Sequence, residues 1–191
     1  MQSFIATKEE IHMARHVLVI STSLRNNSNS DRLADSFAEG AKAAGNEVTK
    51  ISLMGKKIAF CKGCLACQKL GHCVIADDAL AITEEMCKAD VIVWATPIYY
   101  YEMSGQMKTM IDRANSLYSA DYKFRDIYFL SSAAEDEDGV DARAISGLEG
   151  WIACFDRVRL AGTVFAGGVN DPGDIAEHPS LQKAYEMGKN I

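Results

Sequence analysis

Three stretches of this chain carry residue types that do chemistry at useful spacings. The first is Ser21-Thr-Ser-Leu-Arg-Asn-Asn-Ser-Asn-Ser30, between the apolar run Val17–Ile20 and a segment of helical periodicity beginning at Asp31. A strand that ends in hydroxyls, amides and one arginine and then opens a helix is suited to cradle phosphate. The first helical turn offers free backbone N–H groups and the positive end of the helix dipole. Ser21, Ser23, Ser28, Asn29 and Ser30 supply short donors, and Arg25 supplies a charge. There is no Walker lysine and no G-x-G-x-x-G, so neither an ATP P-loop nor a dinucleotide turn fits. Taken alone, the same stretch is also an ordinary polar loop with a helix cap.

The second stretch is Thr96-Pro-Ile-Tyr-Tyr-Tyr-Glu-Met-Ser104. Pro97 fixes its own φ and restricts Thr96, which makes the exit from the preceding strand rigid. Ile98, Tyr99 and Tyr100 then give apolar and aromatic walls with backbone N–H groups between them, a slot for a planar heteroaromatic ring. The bland alternative is that the tyrosines simply pack on the following helix. The third stretch is Cys61-x2-Cys64-x2-Cys67-x5-Cys73, four of the six cysteines in one loop. In a chain without export signals such clustering points to metal or redox chemistry, not to a disulfide framework. Thiolates in fours suit a [4Fe–4S] cluster or zinc, and the successive x2 spacings favour the cluster.

The elements that must position these stretches alternate strand and helix. Strands are expected at His16–Ser21, Glu47–Leu53, Ala89–Thr96, Asp126–Ser132 and Leu160–Ala166. Helices are expected at 31–44, 79–88, 104–117, 140–157 and 181–189, with Asp77 and Asp78 as natural N-caps for the second. The near-continuous apolar run ADVIVWAT marks a central parallel strand buried on both faces. The expected fold class is α/β: a doubly wound five-stranded parallel sheet of order 2-1-3-4-5 in a three-layer sandwich. Ligands in such sheets bind beyond the carboxyl ends of strands 1 and 3, where the first two stretches meet. A phosphate cradle beside a flat slot describes a mononucleotide with a large ring, and FMN is the candidate.

At 191 residues the chain fits one domain, with 13–191 as its body and 1–12 as an N-terminal extension or the product of an upstream start codon. A net charge of −6 without a Lys/Arg cluster argues against a nucleic-acid surface. No apolar run approaches the roughly 20 residues that span a bilayer, and Lys8, Glu9 and Glu10 interrupt any signal-peptide centre, so a cytoplasmic protein is expected. Two other functions on this topology do not fit. A response-regulator receiver needs acidic residues after strand 1, and a low-molecular-weight phosphatase needs C-x5-R in the phosphate loop.

Ser23, Arg25, Ser28, Asn29 and Ser30 match S-x-R-x-x-[GS]-N-[ST], and Pro97-Ile98-Tyr99 with Lys108 and Asp112-Arg113 matches a second motif. In these residues the chain resembles the NAD(P)H-dependent FMN reductases of the flavodoxin-like superfamily. The likeness covers about Val17 to Arg113, with Leu24 where relatives often have proline. It implies FMN with its phosphate on the first loop, its ring on the Pro97–Tyr100 backbone, and the Ser131–Ala134 loop, Ser132 included, at the ring's other end. It implies NAD(P)H as co-substrate in a ping-pong cycle, a small electron acceptor, and no catalytic side chain, since the hard chemistry belongs to the cofactor. It also implies a homodimer or homotetramer, for which Tyr99–Tyr101 and Met103 would serve as interface.

The cysteine spacing resembles that of the iron–sulfur flavoproteins, a neighbouring family, in which Cys61, Cys64, Cys67 and Cys73 would hold the cluster. FMN reductases without a cluster show a similar loop ending in G-x-C-V-I-x-D-D, as Gly71–Asp78 does. A cluster, zinc and a metal-free loop all stand at this point. So do three functions: an FMN oxidoreductase, an electron carrier served by a ferredoxin-like protein, and a binding module without turnover. Cys87 and Cys154 read as core residues, only His72 among the histidines could serve a metal, and Glu135–Asp138 reads as a solvated loop.

Overall fold

A computed structural model describes residues 13–191, so the expected extension at 1–12 lies outside the described residues. β1 (His16–Ser21), β2 (Glu47–Ser52), β3 (Val91–Tyr99), β5 (Asp126–Ser132) and β6 (Arg159–Ala166) form a parallel sheet in the order β2-β1-β3-β5-β6. The sheet has six strands, not the expected five: β4 (Glu102–Met103) folds back antiparallel on the end of β3. The sequence pattern hides β4 because two residues are too few to show alternation. α1 (Asn29–Ala43), α2 (Cys67–Leu70), α3 (Ala79–Lys88), α4 (Gly105–Arg113), α5 (Ala142–Ile152) and α6 (Pro179–Lys189) fill the crossovers. The single helix expected over 104–117 is α4 followed by a separate 3₁₀ turn, Asn115–Ser119. The helix expected over 140–157 runs only from Ala142 to Ile152.

Side-chain alternation along the strands divides the core in two. Val17, Val19, Val91, Val93, Ala95, Tyr128 and Leu130 face α1 and α6, packing on Leu33, Phe37, Ala41 and Ala184. Leu18, Ile20, Ile92, Trp94, Ile127 and Phe129 face the opposite layer, with Met86 of α3, Met107 and Met110 of α4, and Leu148 of α5. Burial of both sheet faces is what a parallel sheet requires, and it explains the continuous apolar run of β3. On the first face, Gly40 of α1 and Gly188 of α6 let two helix backbones touch. A methyl group on Gly40 would collide with the Tyr185 carbonyl, and one on Gly188 with the Phe37 carbonyl.

Backbone has no rotamer with which to yield, so Gly40→Ala must push α6 away from α1. We expect it to cost about 1–3 kcal/mol, the usual range for overpacking, in a urea titration. An unchanged midpoint would show that the two helices are not held this closely.

Candidate functional site

Register brings the ends of the strands level: Ser21 lies beside Ala95, Thr96 beside Ser131, and Ser132 beside Ala166. The carboxyl end of β1 is stitched to that of β3 by a buried hydroxyl knot. The Thr22 N–H and Oγ1 both donate to the Ala95 carbonyl (2.9 and 3.0 Å). Thr22 Oγ1 also lies 3.0 Å from Ser104 Oγ, and the Ser104 N–H donates to Thr96 Oγ1 at 3.0 Å. Ser104 is also the N-cap of α4, its Oγ accepting from the Met107 N–H. Thr96, expected to touch a cofactor, therefore spends its hydroxyl beneath the site.

Above the knot lies a recess of about 160 Å³ lined by Ser23, Arg25, Ser28 and Asn29 on one side and Pro97–Tyr99 on another. Ser132–Ala134 and Val169, Asn170 and Pro172 close it. It thus gathers eight of the twelve residues expected to bind the cofactor. Of the other four, Thr96 is in the knot, and Ser21 and Ser30 are fully buried away from the recess wall. Tyr100 is 97% exposed, at the tip of the β3–β4 hairpin. Tyr100 and Tyr101 are the two connecting residues of that hairpin, with φ of 52° and 66°. Two-residue turns of this hand favour Asn-Gly, and non-glycine residues held at positive φ are strained features typical of functional sites. Tyr101 anchors the turn: its hydroxyl donates to Glu135 Oε1 at 3.3 Å, and the Arg143 guanidinium sits 5.9 Å over its ring. That carboxylate, first of all, raises the Tyr101 phenol above its ordinary range.

The wall from Val169 to Pro172 is the part that sequence reasoning missed. Two of the expected phosphate residues hold it. Asn29 Nδ2 donates to the Asp171 carbonyl at 3.0 Å, while Asn29 Oδ1 accepts from the Gly173 and Ile175 N–H groups at 3.2 and 3.3 Å. Arg25 Nη1 donates to the Asn170 carbonyl at 3.0 Å, which leaves the rest of its guanidinium for the recess. Asn29 is therefore a clamp between two loops. Nothing in the local sequence around Asn170 signals this, because the contact spans more than 140 residues.

The cysteine loop forms a second concavity on the α4–α5 side of the sheet. Cys61, Cys64, Cys67 and Cys73 all line one cavity of about 390 Å³, together with Trp151, Cys154 and Phe155. Among the described residues no three His, Cys, Asp or Glu side chains converge on a single ion position. Four thiolates around a cubane each take a different iron and need not meet at one point. Both ends of the loop hang on Arg113, which is 2% exposed at the end of α4. Its guanidinium pairs with both Asp77 oxygens at 2.6 and 2.8 Å and donates to the carbonyls of Ala59 and Ile75 at 2.8 and 3.1 Å. Asp77 in turn accepts from the Ala59 and Ala79 N–H groups, so of the two expected caps of α3 only Asp77 acts.

With the geometry established, comparison decides the lineage. Residues 15–143 match the NADPH-dependent FMN reductase family. The chain belongs to that family. An iron-sulfur flavoprotein of Methanosarcina thermophila is 27% identical over 173 residues, 90% of this chain and 91% of that one. Another, of Archaeoglobus fulgidus, is 35% identical over 85 residues, 44% of this chain and only 39% of the relative's length. A solved NAD(P)H:quinone oxidoreductase of Methanothermobacter marburgensis superposes with a TM-score of 0.69 at 18% identity, over 93% of this chain and 99% of that one, which shows a shared fold. Membership makes FMN the cofactor against which the recess is measured, and the donor set fits. Hydroxyls and an arginine stand at the start of α1, with Pro97, Ile98 and Tyr99 opposite. Among the described residues no helix is long and apolar enough to cross a membrane.

The Asp77 carboxyl is held below its ordinary range, chiefly by Arg113. Its contribution to stability is therefore complete above about pH 4, the ordinary Asp value, and is lost as pH falls through the depressed value. Arg113→Met strands a mostly buried carboxylate, and we expect it to cost about 3–5 kcal/mol in a urea titration at pH 7, with much of the loss restored by Arg113→Met/Asp77→Leu. A single variant as stable as the native protein would show that the pair does not hold the loop.

Proposed function

We propose that the recess holds FMN and that the protein is a flavin oxidoreductase that oxidises NAD(P)H and delivers electrons to a small acceptor. The observation that carries this reading is the meeting of Ser23, Arg25 and Ser28 with Pro97–Tyr99 and Ser132–Ala134 in one recess at the switch point of the sheet. Bound FMN supplies the redox chemistry, accepting a hydride and handing on electrons. The chain's own residues bind and orient. Ser23, Ser28 and the start of α1 receive a phosphate, and Arg25 neutralises it. The Pro97–Tyr99 backbone and the Ser132–Ala134 loop flank a ring.

At about 160 Å³ the recess is smaller than a cavity that encloses a ligand of this size, so part of the cofactor must lie at the open rim beside half-exposed Tyr99. A single open face serves nicotinamide and acceptor in turn, which is the basis for a ping-pong order. No side chain at the rim is assigned as acid or base. A homodimer or homotetramer joined through the tyrosine hairpin would leave Tyr100 less exposed than it is in one chain.

A second reading adds a [4Fe–4S] cluster on Cys61, Cys64, Cys67 and Cys73 and makes the protein an electron carrier working with a ferredoxin-like protein. A specific observation favours it. Cys87 and Cys154 donate their thiol protons to the carbonyls of Asp121 and Gly150 at 3.7 and 3.5 Å, as ordinary cysteines do. In the loop the polarity is reversed: the Gly63 N–H donates to Cys61 Sγ at 3.4 Å and Asn115 Nδ2 to Cys67 Sγ at 3.2 Å. Arg113, held in its charged form first by Asp77, is favoured also by Cys73. Sulfurs that accept are placed to serve as thiolate ligands.

The first reading is tested by comparing FMN with riboflavin, which lacks the phosphate. A charge-assisted hydrogen bond is worth about 1.5–3 kcal/mol, so Arg25→Ala should weaken FMN roughly ten- to a hundredfold. Riboflavin should change less than about twofold. Equal losses for the two flavins in a fluorescence-quenching titration would remove Arg25 from the phosphate site.

A further inference from the structure

Asn115 is the first residue of the 3₁₀ turn that follows α4, two positions after the Arg113 hub. It is half-buried, and its amide nitrogen points at Cys67 Sγ from 3.2 Å. Cys67 opens α2, which packs on that 3₁₀ turn, so donor and sulfur are held by two elements in contact. A neutral carboxamide adds no charge to the cavity. What it adds is a dipole directed at one sulfur.

We propose that Asn115 is a positioning residue of the four-cysteine site, whose hydrogen bond to Cys67 raises the reduction potential of the cluster held there. The proposal rests on the second reading above. On reduction one electron enters the cluster, no bond at Cys67 forms or breaks, and no proton moves. Negative charge on the ligating sulfurs grows, so a donor aimed at one of them stabilises the reduced form more than the oxidised form. The backbone N–H of Gly63 acts in the same sense on Cys61, but no side-chain substitution removes it. Asn115 is the part of this donor set that one substitution deletes without touching a ligand or the Arg113–Asp77 pair.

The experiment uses the full chain, purified without oxygen or reconstituted with ferrous iron and sulfide, and loaded with FMN. Iron and acid-labile sulfide are assayed, and the cluster and flavin potentials are measured by a spectroscopic redox titration. In Asn115→Leu we expect the same iron content and the same flavin potential. At a fixed potential its ratio of reduced to oxidised cluster should fall about tenfold, a shift of about 59 mV to lower potential for one electron. Asn115→Gln, which retains a donor, should recover part of that shift. Should the leucine variant shed its cluster, Asn115→Ser, whose hydroxyl falls short of the sulfur, carries the same expectation. A cluster-bearing variant with the native potential overturns the role of Asn115 and leaves the cluster reading intact. Native protein that takes up no iron overturns both.

Discussion

The adjacency of β1 and β3 creates the recess. These two parallel strands are neighbours in the sheet although α1 covers one face and α4 the other. Chains leaving them in opposite directions must open a crevice between their ends, because no crossover can fill it. The hydroxyl knot of Thr22, Thr96 and Ser104 fixes the depth of that crevice and starts α4 in the same place. Beside it stand donors at the start of α1, a rigid exit at Pro97 and the strained hairpin that lifts Tyr100 into solvent, while Asn29 and Arg25 hold the far wall.

α4 is the mechanical link between the two candidate sites. Its N-terminal end is capped within the knot, and its C-terminal end presents Arg113 to the base of the cysteine loop. A buried guanidinium is costly to desolvate and is tolerated here because Asp77 and two carbonyls satisfy both terminal nitrogens, with Nε alone left without a partner. The same residue therefore closes a loop that has few apolar contacts of its own, with Leu65, Leu70 and Val74 largely exposed. One helix thus fixes the separation between the recess and the cysteines, whatever the latter hold.

Much of this was legible in the sequence because it is local. Alternating patterns gave the five long strands, and turn chemistry gave the phosphate loop and the rigid proline exit. The rest depends on contacts between distant residues. Asn29 reads as a phosphate donor by type, yet its hydrogen bonds go to Asp171, Gly173 and Ile175. Thr96 reads as a wall and is a strut. Tyr100 reads as a wall too, but Tyr101 is bonded to Glu135 and the turn carries Tyr100 outward. In the cysteine loop the spacing favoured a cluster over zinc and left a cluster-free loop equally open. The hydrogen bonds at Cys61 and Cys67 run to the sulfur, whereas those at Cys87 and Cys154 run from it, a difference visible only in three dimensions.

In the proposed function a flavin bound in the recess takes electrons from a nicotinamide nucleotide. The direct measurement is anaerobic mixing of the FMN-loaded protein with NADH and, separately, NADPH, following the visible flavin band. Bleaching by at least one of the two, at one nucleotide oxidised per FMN, is expected, with recovery of the band when an electron acceptor is admitted. A bound flavin that dithionite bleaches but neither nucleotide does would contradict the proposed function.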